Sequence, residues 1–293
     1  MRRGTRAFLS AMAGIFVVAG GLPLGSPAAV EAVSPHIVIS QVYGGGGNTD
    51  APYTHDFIEL FNRSNVATTL NGWSVQYASA TGTGNFGASA TQLTELPDVT
   101  LAPGQYFLIQ QGAGAGNGVA LPTPDLIDGT PIAMAAGAGK VALATGTASL
   151  GCNGSTGQPC SAEALARIVD LVGYGNANFF EGSAAAPALS NTTAGFRAAG
   201  GCTDTDNNAA DFSAAAPAPR NTASAFNPCP TGDAAPSVTS TVPADGDNGV
   251  AVDANISVTF SEPVDVSGAW FTIECTTSGS VAASASGGPT TFV

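Results

Sequence analysis

The sequence predicts an all-β chain built from antiparallel sheets packed as sandwiches, and three observations carry that expectation. Charged residues make up only 10% of the 293 positions while 44% are apolar, a balance poorly suited to the solvated faces of long helices. Glycine occurs 38 times and proline 19 times, and these residues punctuate turn-rich β structure. The apolar positions recur with period two, not 3.6: Trp73, Val75 and Tyr77 alternate with Ser74, Gln76 and Ala78. One face of that strand is expected to meet a core and the other to meet water.

The chain begins with Arg2, Arg3 and Arg6, followed by an apolar stretch from Ala7 to Leu24 and small residues as far as Ala32. That order is the signature of a secretory signal peptide over residues 1–32, with cleavage after Ala28 or Ala32. The apolar stretch carries Gly14, Gly20, Gly21 and Pro23, which argues against a retained anchor of the roughly 20 apolar residues a bilayer needs. The protein is therefore expected outside the cytosol, secreted or on the cell surface, without a membrane span once the signal is removed.

Residues 33–230 form the first predicted domain. Strands are expected at Ile37 to Tyr43, Phe57 to Asn62, Trp73 to Ala78, Tyr106 to Gln110, Lys140 to Thr145 and Ile168 to Tyr174, each bounded by Gly, Asn, Pro or Asp. The helical candidate is Ser161 to Arg167, with Ser161 placed as its cap. From Asn176 to Pro230 the composition turns to Ala, Asn, Pro and Thr, which reads as a long excursion closing the domain. Residues 231–236 read as a linker. Beyond it, Ile256, Val258 and Phe260, then Phe271, Ile273 and Cys275, repeat the period-two alternation. Residues 237–293 are fewer than the roughly 100 of a seven-strand sandwich, so a partial second sandwich is expected.

Five cysteines lie beyond the signal: Cys152, Cys160, Cys202, Cys229 and Cys275. In an exported chain without a C-x-x-C pair they read as disulfide partners and not as metal ligands. Of the pairings open to the first four, the local one is preferred, Cys152 with Cys160 and Cys202 with Cys229, because both pairs border loop-like sequence. Chain entropy assigns ~2.6 and ~3.6 kcal/mol to the two closures. Cys275 is left without an assigned partner.

The formal charge is −13. Without the N-terminal arginines, five basic residues remain: Arg63, Lys140, Arg167, Arg197 and Arg220. Gripping a phosphate backbone requires clustered cations that displace counterions, so direct nucleic-acid binding is not expected.

Particular strings carry more than these averages. Ile37-Val-Ile-Ser-Gln-Val-Tyr43, a glycine loop, Asp56-Phe-Ile-Glu-Leu-Phe-Asn62 and Leu70-Asn-Gly-Trp-Ser-Val-Gln-Tyr77 together resemble a lamin-tail domain of the bacterial secreted type. Leu101-Ala-Pro-Gly-Gln-Tyr-Phe-Leu-Ile109, Ile168-Val-Asp-Leu-Val-Gly-Tyr174, Gly200-Gly-Cys-Thr-Asp-Thr-Asp-Asn-Asn208 and Pro219-Arg-Asn221 continue the pattern in order. The resemblance implies an immunoglobulin-like β-sandwich. The stretch from Ala235 to Val252, with Ile256-Ser-Val-Thr-Phe-Ser-Glu-Pro-Val264, resembles the opening of a bacterial Ig-like domain of the S-layer type. The resemblance implies the setting of the secreted bacterial family, in which this pair of modules often precedes a phosphoesterase domain of the endonuclease/exonuclease/phosphatase superfamily or sits in other cell-surface proteins.

Candidate chemistry is sparse. Glu59 shares a strand face with Phe57 and Phe61, so burial and a hydrogen-bonded bracing role are expected in preference to acid catalysis. Asp204, Asp206, Asn208 and Asp211 fall at positions one, three, five and eight of a loop, a spacing of oxygens usable by calcium. Ala209 stands where an EF-hand needs glycine, and Asx-turns explain the same residues. Gly44 to Gly47 lack the helix N-terminus that holds phosphate and read as a flexible interstrand loop. His36 and His55, the two imidazoles, read as solvent-facing loop residues, and Trp73 and Trp270 read as core.

No catalytic residue and no cofactor is assigned. Within these 293 residues the sequence predicts a non-catalytic extracellular module that scaffolds or binds for other domains, its protein or cell-surface partner unassigned. The alternatives are the N-terminal accessory region of a longer secreted nuclease or phosphatase, and a carbohydrate- or peptide-binding module.

Overall fold

The pairing of strands follows from where the apolar residues must go. In a computed structural model, Ser34 and residues 36–230 are described, together with residues 237–293 except 252, 262, 265, 267–269 and 276–278. The predicted signal peptide and the predicted 231–236 linker lie outside the described residues. The chain divides into two compact units between Cys229 and Pro230. The described residues contain no helix long and apolar enough to cross a membrane.

In the first unit the strands are β1 (Ile37–Tyr43), β2 (His55–Asn62), β3 (Thr68–Thr69), β4 (Trp73–Ser79), β5 (Leu93–Glu95), β6 (Thr100–Leu101), β7 (Tyr106–Ala113), β8 (Leu126–Ile127), β9 (Gly139–Thr145), β10 (Ile168–Tyr174), β11 (Ala194–Arg197) and β12 (Phe212–Ala215). Two short helices interrupt them, α1 (Ala162–Arg167) and α2 (Asn208–Asp211). One sheet has the order β12-β11-β1-β2-β7-β8 and the other β10-β9-β4-β5. Ile37, Ile39, Ile58, Leu60, Phe107 and Ile109 of the first sheet pack against Val75, Tyr77, Val141, Leu143, Val172 and Tyr174 of the second. These are the alternate positions of each strand, so the period-two pattern becomes the core of an immunoglobulin-like sandwich. Ser161 caps α1 by accepting a hydrogen bond from the Ala164 amide at 3.2 Å.

The structure corrects three expectations. The outer face of β4 does not meet water: Ser74 and Gln76 are fully buried. The chain from Gly146 to Leu150 lies over them, with Ser74 donating to the Gly146 carbonyl and Gln76 engaging Ala148 and Leu150. The 176–230 excursion is not all loop, because β11 pairs with β1 and β12 with β11. Gly44–Gly47 are buried, not free. A Cβ on Gly46 would lie 2.0 Å from the His55 carbonyl carbon, and one on Gly44 2.6 Å from the Ala135 oxygen. Glycine is required there because backbones cross where side chains cannot fit.

The second unit contains β13 (Val238–Val242), β14 (Ser257–Phe260), β15 (Ile273–Cys275), β16 (Gly279–Val281) and β17 (Thr291–Phe292). β13, β14 and β17 form one antiparallel sheet, and β15 pairs with β16 as a hairpin.

Candidate functional site

The acidic loop singled out from spacing ends in the interior, around a guanidinium that spacing did not reveal. Arg197, on β11, is 1% exposed. Its Nη2 donates to both oxygens of Asp170 at 2.6 and 2.8 Å, and its Nη1 donates to Asp204 at 2.9 Å. Asp211 lies 3.5 Å from the same Nη1. Of the four loop residues, Asp204 bonds Arg197, while Asp211, near the same guanidinium, accepts from the Thr205 amide and hydroxyl of its own loop at 2.8 and 2.7 Å. Asn208 turns away toward β10, and Asp206 adopts a φ of +52°. The tight group of carboxylates is a different one: Asp170, Glu181 and Asp204 offer oxygens within 4.8 Å of one another.

Backbone bookkeeping explains why these groups are buried. β1 carries a bulge between Ile39 and Gln41, and β11 pairs with β1 only at Gln41 and Val42. Beyond that pairing, the Ile39 amide donates to Asp170 Oδ2 at 2.5 Å and the Ile39 carbonyl accepts from Arg197 Nε at 3.0 Å. Two side chains thus do what a neighbouring strand would do. The free side of β10 is closed in the same way. Glu181 accepts from the Leu171 amide, and Asn208 donates to the Leu171 carbonyl and accepts from the Gly173 amide, at 3.0, 2.8 and 2.8 Å.

Burial raises Glu181 well above its ordinary range, and the neighbouring Asp170 adds to the effect. Burial also raises Asp170, opposed by Arg197. Burial works against the charge on Arg197, but Asp170 and Asp204 outweigh it and leave the guanidinium above its usual value. The site therefore locks one cation among carboxylates and aligns backbone groups. Asp170 is the member legible in sequence, as a lone charge inside the apolar run Ile168-Val-Asp-Leu-Val.

Three further buried polar groups are tied to internal partners. Glu59 is fully buried and accepts from the Arg220 backbone amide and Nη2, both at 2.7 Å, and from the Ser40 hydroxyl at 2.6 Å. Arg220 also lies 3.8 Å from the centre of the Tyr106 ring. Glu59 thus pins the segment after β12 across β2, and burial raises its carboxyl even against Arg220. Asp56 accepts from the Gly46 and Met134 amides at 2.8 and 2.9 Å, while burial pushes its carboxyl up to about 7. Lys140, fully buried, donates to the Asn153 carbonyl and to Asn178 Oδ1, both at 2.8 Å, and burial lowers it to about 8.

The disulfides are Cys152–Cys160 and Cys202–Cys229, the local pairing. Trp73 is partly buried against the main core. His36 is exposed, and the half-buried His55 begins β2, with its Nδ1 2.8 Å from the Thr54 hydroxyl. In the second unit a cavity of about 460 Å³ is lined by Ile256, Val258, Trp270, Phe271, Ile273 and Phe292, among others.

Residues 31–158 match the family model of the Lamin Tail Domain, and residues 232–292 match that of a bacterial Ig-like domain. The first match ends within the Cys152–Cys160 loop, whereas the sandwich continues through β12. Among solved structures, a DUF4876 family protein from Bacteroides thetaiotaomicron aligns with a TM-score of 0.41 and 13% identity, over 68% of this chain and 75% of that one. Comparison with the curated proteins gives no match.

Proposed function

We propose that this chain is a non-catalytic, extracellular β-sandwich module that holds or presents other domains at the cell surface or in the medium. The observation that carries this reading is the commitment of Asp170, Glu181, Asp204, Glu59 and Arg197 to backbone and ion-pair partners inside the first unit. An acid or base must reach a substrate proton, and these carboxylates face strands instead. The two disulfides and the match to a bacterial Ig-like domain support an extracellular address.

The test is to purify the chain from residue 33 and assay generic phosphoester and glycoside hydrolysis beside the Asp170→Asn and Glu59→Gln variants. The expected result is no turnover by any of the three. Turnover by the parent chain that either variant abolishes, while its circular dichroism is unchanged, would overturn the reading.

A further inference from the structure

Asparagine is followed by glycine at Asn71, Asn117, Asn153 and Asn248, and the fold treats these pairs differently. Asn71 and Gly72 form the exposed turn leading into β4, closed by the Trp73 amide donating to the Leu70 carbonyl at 3.1 Å. The Asn71 amide donates to the Thr69 hydroxyl and the Gly72 carbonyl accepts from the Gly146 amide. Among the described residues, the Asn71 carboxamide and the Gly72 amide have no hydrogen-bond partner. Gly72 adopts a φ of +75°, and a Cβ there would meet nothing within 4 Å, so this peptide has room to turn. Asn153 is the opposite case, fully buried. Its Nδ2 donates to the Gly82 and Gly84 carbonyls at 3.0 and 3.2 Å, and its Oδ1 accepts from the Ser155 amide at 2.9 Å. The Gly154 amide donates to the Gln158 carbonyl at 3.0 Å. Asn117 and Asn248 are exposed, but each carboxamide donates to a carbonyl, of Gly47 at 3.1 Å and of Gly246 at 3.2 Å.

We infer that Asn71 is a site of spontaneous covalent modification, its carboxamide converting to a carboxylate through a cyclic imide formed with Gly72. Glycine leaves the attacking nitrogen unshielded by a side chain. The Gly72 amide gives its proton to hydroxide, and its nitrogen bonds to Asn71 Cγ. The Cγ–Nδ2 bond breaks, and Nδ2 takes a proton from water and leaves as ammonia. Water then opens the ring. Breaking the new N–Cγ bond gives aspartate, whereas breaking the original peptide bond between Asn71 and Gly72 gives isoaspartate, whose main chain runs through Cγ. In sum, water is consumed and ammonia is released. The reaction requires a nitrogen free to swing onto the side-chain carbon, a condition met at Asn71 and denied at Asn153. Asn117 is held as well, since a Cβ on Gly118 would lie 2.7 Å from the Ala51 carbonyl oxygen. Isoaspartate lengthens the main chain between Leu70, fully buried in the core, and Trp73, packed against it, so the modification reaches the start of β4.

The test incubates the chain from residue 33, with both units present, in mildly alkaline buffer. Peptide mapping with electron-transfer fragmentation then distinguishes asparagine, aspartate and isoaspartate at each position. In the folded chain Asn71 is expected to convert about tenfold faster than Asn153 or more, because Asn153 reacts only after its loop opens. In urea with the bridges reduced, the two rates should converge. Asn71→Gln, whose longer side chain would have to close a larger ring, should slow the growth of acidic species in isoelectric focusing. Conversion of Asn71 no faster than that of Asn153 in the folded chain would overturn the inference, as would an Asn71 that stays intact in the folded chain while the unfolded chain converts.

Discussion

Arg197 shows how a single residue can carry the interior of a sandwich. Removing it leaves Asp170, Asp204 and Asp211 buried against one another and the Ile39 carbonyl without its donor. Arg197→Met is expected to cost about 3–5 kcal/mol in urea unfolding; a loss below about 1 kcal/mol would mean the network contributes little. Lys140 sets a pH dependence of opposite origin, because its lowered value makes the folded state bind fewer protons than the unfolded chain between about 8 and its ordinary 10.5. Stability should rise with pH through that window, and Lys140→Met should remove that rise in thermal melts. Asp56 has the reverse sign. Its folded value of about 7 lies above the ordinary 3.8, so its contribution is greatest in acid and declines as pH climbs from 3.8 to 7. The carboxyl carbon of Asp56, followed by NMR, should titrate near pH 7; a midpoint near 4 would refute the effect of burial.

At the scale of elements, the informative feature is how strands end their pairing. β1 and β10 both present backbone groups that no neighbouring strand receives, and side chains from distant segments take them. Asn208→Ala removes the bonds to the Leu171 carbonyl and the Gly173 amide. Stranding these groups is expected to cost about 2–4 kcal/mol and to expose the edge of β10 to pairing with other chains. Light scattering on heating should therefore begin earlier than in the parent protein; unchanged scattering and stability would show that another segment closes the edge. The same logic places glycine at position 46, where Gly46→Ala sets a methyl against the His55 backbone and should destabilise by about 3 kcal/mol.

At the scale of the molecule, the division into two compact units is expected to give two calorimetric transitions. Both bridges lie in the first unit. Reduction should lower only the transition of that unit, by the ~2–4 kcal/mol that closing such loops contributes. A single transition shifted as a whole would show that the two units are coupled.

The pattern of the sequence determined the strands, because period-two burial is a local property: Ile37–Tyr43 and Ile168–Tyr174 match the expected spans at both ends, and α1 starts where Ser161 caps it. The local disulfide pairing, preferred from its loop-like surroundings, is the one that forms. Only the tertiary structure decided the rest. β11 and β12 have too few residues and too much alanine for a periodic signal, and become strands because β1 offers an edge. Asp204, Asn208 and Asp211 read as oxygens at a ligand-like spacing; Asp211 is held by the Thr205 amide and hydroxyl of its own loop, whereas Asn208 takes its duty from Leu171 and Gly173, which reach it from β10. Hydrogen-bond satisfaction in a buried sheet is a long-range condition, and neighbours along the chain do not carry it.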